Sequence, residues 1–244
     1  MLNFGITNER ILDGLREKVL ESTNYKKGEK ESKTFYKNDG YKLKTIYYKK
    51  GIVDFEKIFS FENGFPKSYT NYSSNGVPTG NGKYILNNQG QIMEKYHNGE
   101  IEEKYSYDNS GRINEVLYPQ SNSKNIYEYD ENNLVIKLLA VEEGFNLFGG
   151  PSKQLTLYVN DELGNILSFK TFDGDTNELL YFQENKINAE GDVVETIGKL
   201  PDNSIVDEIK FNYQYDDKGN WIEMETINER RNIRFNKKRD LAYS

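Results

Sequence analysis

The chain has 244 residues, 29% of them charged, and a net charge of −7 at neutral pH with both signs interspersed. This length suits one large β domain or two small domains. The acidic balance disfavours nucleic-acid binding, because neutralising phosphates requires a basic surface. The 19 Tyr and 13 Phe argue against a disordered acidic chain. Such rings are typical of half-buried strand surfaces.

Several classes of protein are excluded by what the sequence lacks. It contains no cysteine, so disulfides, thiolate nucleophiles and Cys-ligated metals are absent. No apolar run approaches the length of a membrane span. The first residues do not have the layout of a signal peptide. We therefore expect a cytoplasmic protein, or a periplasmic or surface protein if a signal peptide has been removed.

The N-terminal segment has a helical pattern. Ile11, Leu15 and Val19 recur at intervals of four residues and would share one face of a helix. The pattern predicts one amphipathic helix. Residues 1–32 would form this helix and a lead-in, and residues 33–244 would form a β-hairpin repeat domain, the two making a single structural domain.

Short strands and turns follow the predicted helix. Seven glycines are separated by 9 to 14 residues, a spacing typical of an antiparallel meander. They are Gly40, Gly51, Gly64, Gly76, Gly90, Gly99 and Gly111. Asn-Gly pairs favour type I′ hairpin turns, because both central residues need a positive φ. These pairs are Asn63–Gly64, Asn75–Gly76, Asn81–Gly82 and Asn98–Gly99.

A longer turn motif repeats with a fixed spacing. In "YSYDNSGRI" Asp108 is placed to accept hydrogen bonds from backbone amides, and Gly111 to adopt the left-handed conformation. The residue six before the turn glycine is Tyr in Tyr84/Gly90, Tyr105/Gly111, Tyr158/Gly164 and Tyr213/Gly219, and Tyr127 precedes Asn133 in the same way. The constant register predicts a tyrosine ladder in the core, the alternative being an exposed stacking face.

The motif Tyr-Asp, two residues, Gly, one residue and an aliphatic residue resembles the YD repeat of RHS proteins. The resemblance covers residues 105–135 and 211–227. "SFENGF", "YSSNGV" and "YHNGEI" in the N-terminal half resemble MORN-variant repeats of a family of antitoxins. Both resemblances imply a sheet of repeated hairpins. The repeats are too few to enclose a cargo, so the resemblance implies a binding or immunity module rather than a toxin.

The expected fold is therefore mainly β. We predict an extended, twisted antiparallel sheet of repeated β-hairpins, open rather than closed, with the N-terminal helix packed on or beside it.

No residue pattern indicates catalysis, a cofactor or a metal. His97 is the only histidine, and beside Asn98–Gly99 it is expected to be an exposed hairpin residue. Asp173, Asp175, Asn177 and Glu184 match ligand positions of an EF-hand loop, but Glu178 stands where a glycine is needed. This segment is better explained as a hairpin. A hydrolase would require two carboxylates facing each other across a groove.

Two sets of residues are candidates for partner binding. About nine residues are inserted in the repeat within residues 140–154, and they carry Phe145, Leu147 and Phe148. These three side chains could anchor a partner or cover a sheet edge. The second set contains tyrosines outside the regular register, which are expected to be exposed: Tyr69, Tyr72 and Tyr118.

The function predicted from these features is non-enzymatic protein binding. The most concrete form is an immunity or antitoxin protein, monomeric alone, that blocks a bacterial toxin by one-to-one binding. Its acidic surface would fit a basic toxin domain. The alternative is a cell-surface or periplasmic carbohydrate-binding or scaffold protein of YD-repeat type, with exposed tyrosines that stack on sugars.

Overall fold

The structure, a computed structural model, describes Leu15, residues 18–142 and residues 152–243. The described part consists of β-strands joined by turns. The strands are β1 Val19–Lys26, β2 Glu29–Tyr36, β3 Lys42–Lys49, β4 Ile52–Glu62, β5 Phe65–Ser73, β6 Pro78–Leu86, β7 Ile92–His97, β8 Glu100–Tyr107, β9 Ile113–Tyr118, β10 Ser123–Tyr129, β11 Val135–Glu142, β12 Lys153–Asn160, β13 Ile166–Asp173, β14 Leu179–Ile187, β15 Val193–Lys199, β16 Ile205–Tyr215, β17 Trp221–Asn228 and β18 Ile233–Tyr243.

The strands form one antiparallel sheet of 18 strands, in which strands adjacent in sequence are paired. The first strand also pairs with the last, from Val19 opposite Tyr243 to Lys26 opposite Lys237. The sheet is thus closed by the pairing of its first and last strands, and the prediction of an open sheet is wrong. Closure satisfies the backbone groups of both terminal strands, which would be unpaired edges in an open sheet.

The predicted N-terminal helix is not part of the described fold. Most of its residues lie outside the described ranges. Val19, which the pattern placed on the apolar face of the helix, is the first residue of β1. Within the described ranges there is no helix. Strands β1 and β2 occupy the described residues from Val19 onward that were predicted to be helix and lead-in, and this part of the fold prediction is wrong. Spacing by four residues keeps side chains on one face of a strand too, because four is a multiple of the strand period.

The tight turns follow the Asn-Gly prediction only in part. Asn63 and Gly64 have φ of 51° and 87°, and Asn98 and Gly99 have 48° and 90°, as a type I′ turn requires. At Asn75–Gly76 only the glycine has a positive φ. Asn81–Gly82 is not a turn, because both residues lie inside β6.

The longer turn is the repeated element that the sequence predicts. In residues 108–112 the amide of Asp108 donates to the carbonyl of Arg112 (2.8 Å), and that of Gly111 donates to the carbonyl of Asp108 (3.0 Å). The predicted glycines, Gly90, Gly111, Gly164 and Gly219, have φ of 75–83°. The same backbone bonds recur in the turns that begin at Lys37, Ser73, Asn87, Asp130, Asp161, Asn188, Leu200 and Asp216.

The chain divides into two compact units. The described part of the first unit lies within Ile101–Phe211 and Ile227–Ile233. Its core contains Ile113, Val116 and Tyr127, all buried. The second unit comprises the described residues up to Glu100, Asn212–Thr226 and residues from Arg234 onward. One of its clusters joins Leu15, Val19 and Tyr36, with Leu241 and Tyr243 packed against it.

Within these described ranges, no helix is long and apolar enough to cross a membrane. Over the same residues, no group of three or more His, Asp or Glu side chains is arranged to hold a metal ion.

Candidate functional site

The regular tyrosines take the positions that the repeat predicts. In the first unit Tyr127 is 8% exposed, and Tyr105 and Tyr158 pack against its cluster. In the second unit the centroid of the Tyr213 ring lies 6.4 Å from that of the Trp221 ring. The Tyr84 ring lies 6.2 Å from that of Tyr69. Tyr105, Tyr127 and Tyr158 thus pack into the core of the first unit, which is the arrangement that a core ladder requires.

The irregular tyrosines are not the exposed surface that the sequence predicts. Tyr69 is only 4% exposed, because its ring lies over Gly82, which has no side chain to occupy that space. Tyr118 is half-buried against the core of the first unit, and its hydroxyl accepts a 3.4 Å hydrogen bond from the Asn125 amide. Tyr72 is half-buried in β5. The exposure predicted for these three residues is wrong.

His97 is half-buried in a polar cluster rather than exposed on a hairpin. Its Nδ1 lies 2.9 Å from the hydroxyl of Tyr69, and its Nε2 lies 3.3 Å from the amide nitrogen of Asn98. The Lys57 Nζ lies 3.7 Å from the centre of the Tyr69 ring. These contacts hold the imidazole beside the buried phenol of Tyr69.

The segment with EF-hand spacing forms a hairpin. Asp173 Oδ1 accepts hydrogen bonds from the amides of Asp175 and Thr176, at 2.8 and 2.9 Å, and thereby closes the turn between β13 and β14. Glu184 lies in β14 and pairs with Lys199 at 2.5 Å. The carboxylates thus serve the turn and an ion pair, and the hairpin interpretation is confirmed.

The insertion that carries the first candidate set falls between β11 and β12. Phe145, Leu147 and Phe148 lie outside the described residues, and their role stays a prediction. The strands on either side of the insertion, β11 and β12, pair with each other from Lys137 opposite Leu157 to Val141 opposite Lys153.

A different surface of the first unit has the features of a binding site. Five large apolar side chains are exposed around the hairpin of β12 and β13 and the adjoining start of β11. They are Ile136 (38%), Leu157 (40%), Val159 (55%), Leu163 (73%) and Leu167 (37%). We call this group the apolar patch. Exposed apolar groups that adjoin one another mark interaction sites more often than scattered ones do.

Strand register brings the members of the apolar patch together. Leu157 faces Lys137, the neighbour of Ile136, across β11 and β12. Val159 faces Ser168, the neighbour of Leu167, across β12 and β13. Ile136 and Leu167 are the extra residues of β-bulges that follow their turns. A bulge redirects the side chain of its extra residue, which is a common feature of binding surfaces.

The surroundings of the apolar patch are ion-paired. Lys137 lies 2.7 Å from Glu128 on the adjoining strand, and Lys124 lies 3.4 Å from Glu115. Opposite charges placed across neighbouring strands compensate each other. The apolar patch thus lies beside charges that are already paired.

Acidic turns border the patch. In an antiparallel meander every second connection lies at the same end of the strands. The turns of the first unit at this end span residues 108–112, 130–134, 161–165 and 188–192. Their acidic residues are Asp108, Asp130, Glu131, Asp161, Glu162, Glu190 and Asp192, against one cation, Arg112, which pairs with Asp108 at 2.7 Å.

Hydrogen bonds hold two of these carboxylates in the ionised form. The Asn165 side chain and amide donate to Asp161 and lower the pKa of that carboxyl. Burial by itself would raise the pKa of Asp108, but hydrogen bonds from Arg112 and Ser110 lower it overall. Both groups are therefore negative well below neutral pH.

Sequence analysis did not find the apolar patch, although a signal was present. In β12, Leu155, Leu157 and Val159 alternate with Thr156 and Tyr158. Once Tyr158 is assigned to the core ladder, the alternation places Leu155, Leu157 and Val159 on the outer face.

Comparisons with known proteins do not assign the chain to a family. No family model matches, and no curated protein matches in sequence. The TcdB2-TccC3 crystal structure aligns with 84% of this chain and 12% of that one, at 12% identity and a TM-score of 0.43. The Tc holotoxin pore of Photorhabdus luminescens aligns with 86% of this chain and 12% of its own, at 12% identity and 0.41.

A porin-like protein from Bacteroides vulgatus ATCC 8482 aligns over more of its own length. The alignment covers 93% of this chain and 99% of that one, at 12% identity and a TM-score of 0.44. The chain spans only about an eighth of the Tc toxin chains that it matches. Similarity at this level establishes neither a shared family nor a shared activity.

Proposed function

We propose that the protein is a non-enzymatic protein-binding module, and that the apolar patch with its acidic border is its binding surface. The observation that carries the proposal is the exposure of five apolar residues that adjoin one another beside the ion pairs Lys137–Glu128 and Lys124–Glu115. Leu163 and Val159, the most exposed of the five, would be the central anchors.

The chemistry of the surface specifies the partner. An apolar anchor bordered by carboxylates is complementary to an apolar pocket bordered by lysine and arginine. The partner we propose is therefore a basic protein domain, most concretely a bacterial toxin blocked one-to-one in the cytoplasm. The protein would then act as an immunity or antitoxin protein of YD- or MORN-like type. Support for that type comes from the Tyr-Asp turn motif and its repeated geometry.

The test combines capture with paired variants. The tagged protein and a Val159→Glu variant are used to capture partners from native-source lysate, and any retained protein is purified for binding measurements. Val77→Glu is a matched control, because Val77 is 54% exposed and Val159 55%. We expect one basic protein retained at equal stoichiometry, lost with Val159→Glu and kept with Val77→Glu.

A second pair of variants tests the acidic border. Glu131→Lys combined with Glu162→Lys should slow association about tenfold at low salt, because like charges then meet. Glu229→Lys is the control, since Glu229 is exposed in a turn outside the acidic border.

Coexpression of the captured protein with and without this chain then tests toxicity and rescue. A partner that binds Val159→Glu as tightly as the wild type would overturn the proposal.

The carbohydrate alternative loses its main support. It required exposed tyrosines, whereas Tyr69 is buried and Tyr72 and Tyr118 are half-buried. We therefore do not propose that a tyrosine surface binds sugars.

A further inference from the structure

The second unit contains a polar cavity that the proposed protein interface does not use. It has a volume of about 380 Å³ and lies where β18, β1, β2 and β3 adjoin. This volume falls in the range of about 300–1,000 Å³ that is typical of small-molecule sites. We call it the β1–β3 cavity.

Two rows of paired residues form one wall of the β1–β3 cavity. In the first row Ser22 of β1 faces Thr34 of β2, which faces Thr45 of β3. The three are only 2%, 5% and 5% exposed. Their short side chains occupy little volume and leave room for the cavity, whose lining also includes the rings of Tyr36 and Tyr47.

The second row supplies an amide, a hydroxyl and a guanidinium. Arg239 of β18 faces Asn24 of β1, which faces Ser32 of β2. The Asn24 amide donates to the Ser32 hydroxyl at 3.2 Å. Buried polar groups are costly unless they are hydrogen-bonded, and a wall made of them provides several donors and acceptors for a polar ligand.

Charge specifies the class of ligand. The described residues that line the cavity include two cations, Lys42 and Arg239, and no carboxylate. In a chain whose net charge is −7, this is a local reversal of sign. The Arg239 guanidinium lies 3.3 Å from the centre of the Trp221 ring, and stacking on a ring fixes its plane.

We propose that the β1–β3 cavity binds a small hydroxylated oxyanion, with Arg239 and Lys42 on the anionic group and the Ser/Thr/Asn wall on the hydroxyls. A fixed guanidinium is suited to bidentate recognition of a carboxylate or a phosphate. Serine, threonine and asparagine side chains donate to and accept from hydroxyl groups. Sugar phosphates and uronic acids both have this chemistry.

Trp221 is a built-in reporter for the test, because it is the only tryptophan in the chain and touches Arg239. The full chain is titrated with glucose 6-phosphate, with glucuronate and with glucose while tryptophan fluorescence and melting temperature are recorded. We expect a saturable fluorescence change and a rise in melting temperature with at least one of the two anions. The anion that binds more tightly shows whether the cavity prefers a phosphate or a carboxylate. Glucose should bind at least about tenfold more weakly, because it lacks a group for the cations.

Variants separate this site from general charge effects. Arg239→Gln should weaken anion binding by about tenfold or more. Lys238→Gln is the matched control, since it removes one positive charge from the adjacent, exposed position on the opposite face of β18. Lys238→Gln should leave the affinity within about twofold, given solvent screening.

Three results would each overturn the proposal. The first is the absence of a saturable response to both anions in the wild-type protein. The second is equal anion affinity in Arg239→Gln and wild type, and the third is equal affinity of the wild type for glucose and the anions. If Arg239→Gln does not fold, as judged by circular dichroism, Lys42→Gln decides in its place, with loss of affinity expected. This outcome is independent of capture through the apolar patch, so the two proposals fail separately.

Discussion

At the scale of single residues, two glycines in β6 differ in what surrounds them. An added Cβ at Gly82 would lie 2.5 Å from the carbonyl oxygen of Tyr96 and would also meet the ring of Tyr69. At Gly80 it would meet only side-chain atoms of Asn98 and Asn71, the nearest at 3.1 Å. A backbone oxygen cannot move aside as a side chain can, so the two positions should tolerate alanine differently.

Gly82→Ala is predicted to destabilise the protein by roughly 1–3 kcal/mol, the usual range for overpacking. Gly80→Ala, on the same strand, is the matched control and should cost clearly less. The measurement is the urea midpoint of unfolding followed by circular dichroism. Equal midpoints for the two variants would show that the Tyr69 ring does not depend on the space above Gly82.

Gly82 also illustrates a limit of sequence reading at this scale. Asn-Gly predicts a tight turn because both residues tolerate a positive φ. A strand glycine can instead mark a close approach by a neighbouring group. Only the position of Tyr69, thirteen residues earlier and on the adjoining strand, distinguishes these explanations.

At the scale of elements, the longer turn is stabilised by the side chain of its first residue. Asp130 Oδ1 accepts from the amides of Asn132 and Leu134, at 2.9 and 2.8 Å. Asn87 Oδ1 makes the equivalent pair of bonds, both at 2.9 Å. An asparagine therefore replaces the aspartate without loss of the acceptor.

Asp130→Ala should destabilise the protein by about 1–2 kcal/mol, because two turn amides lose their acceptor. Asp130→Asn should stay within about 0.5 kcal/mol of the wild type, since the amide oxygen takes over both bonds. Chemical denaturation of the two variants, at one pH and one salt concentration, measures the difference. If alanine and asparagine are equally tolerated, the side-chain acceptor contributes little to the turn.

The sequence predicts this turn wherever a tyrosine lies six residues before a glycine or asparagine that can adopt the left-handed conformation. Copies with a tyrosine six residues before the left-handed residue were found, including the one with Asn133 in place of glycine. The turns that begin at Lys37, Asn188 and Leu200 make the same backbone bonds, but they lack the aromatic signal. The apolar patch was missed for a related reason, because exposure follows from the face that a strand turns outward, and only the assembled sheet fixes that face.

At the scale of the whole molecule, closure of the sheet is the feature that local patterns cannot supply. It depends on β1 pairing with β18, whose residues are separated by more than two hundred positions. Turn motifs determine which consecutive strands form hairpins, and these were largely predictable. The turn motifs contain no information on whether the first and last strands meet. The same repeated hairpin can build an open sheet or a closed one, so the repeat could not distinguish them.

The buried tyrosines give the molecule a predictable response to alkaline pH. Burial raises the pKa of Tyr127 from its ordinary value of 10.0 to about 12, and it raises the pKa of Tyr107 to about 12 as well. The folded state therefore keeps these protons over a range in which the unfolded chain loses them. Their stabilising contribution is complete below pH 10 and is lost as the pH rises through 12.

For Tyr127 this linkage amounts to about 1.4 kcal/mol for each pH unit between 10 and 12. The free energy of unfolding should fall more steeply with pH in the wild type than in Tyr127→Phe, which has no phenol to ionise. Urea titrations at pH 9, 10, 11 and 11.5, with tyrosinate absorbance recorded in parallel, measure both slopes. Tyr127→Phe starts from a slightly lower stability because it loses a 3.4 Å hydrogen bond from Asn125, so the slopes are compared rather than the absolute values. Parallel slopes for the two proteins would mean that Tyr127 ionises as readily in the folded state as in the unfolded chain.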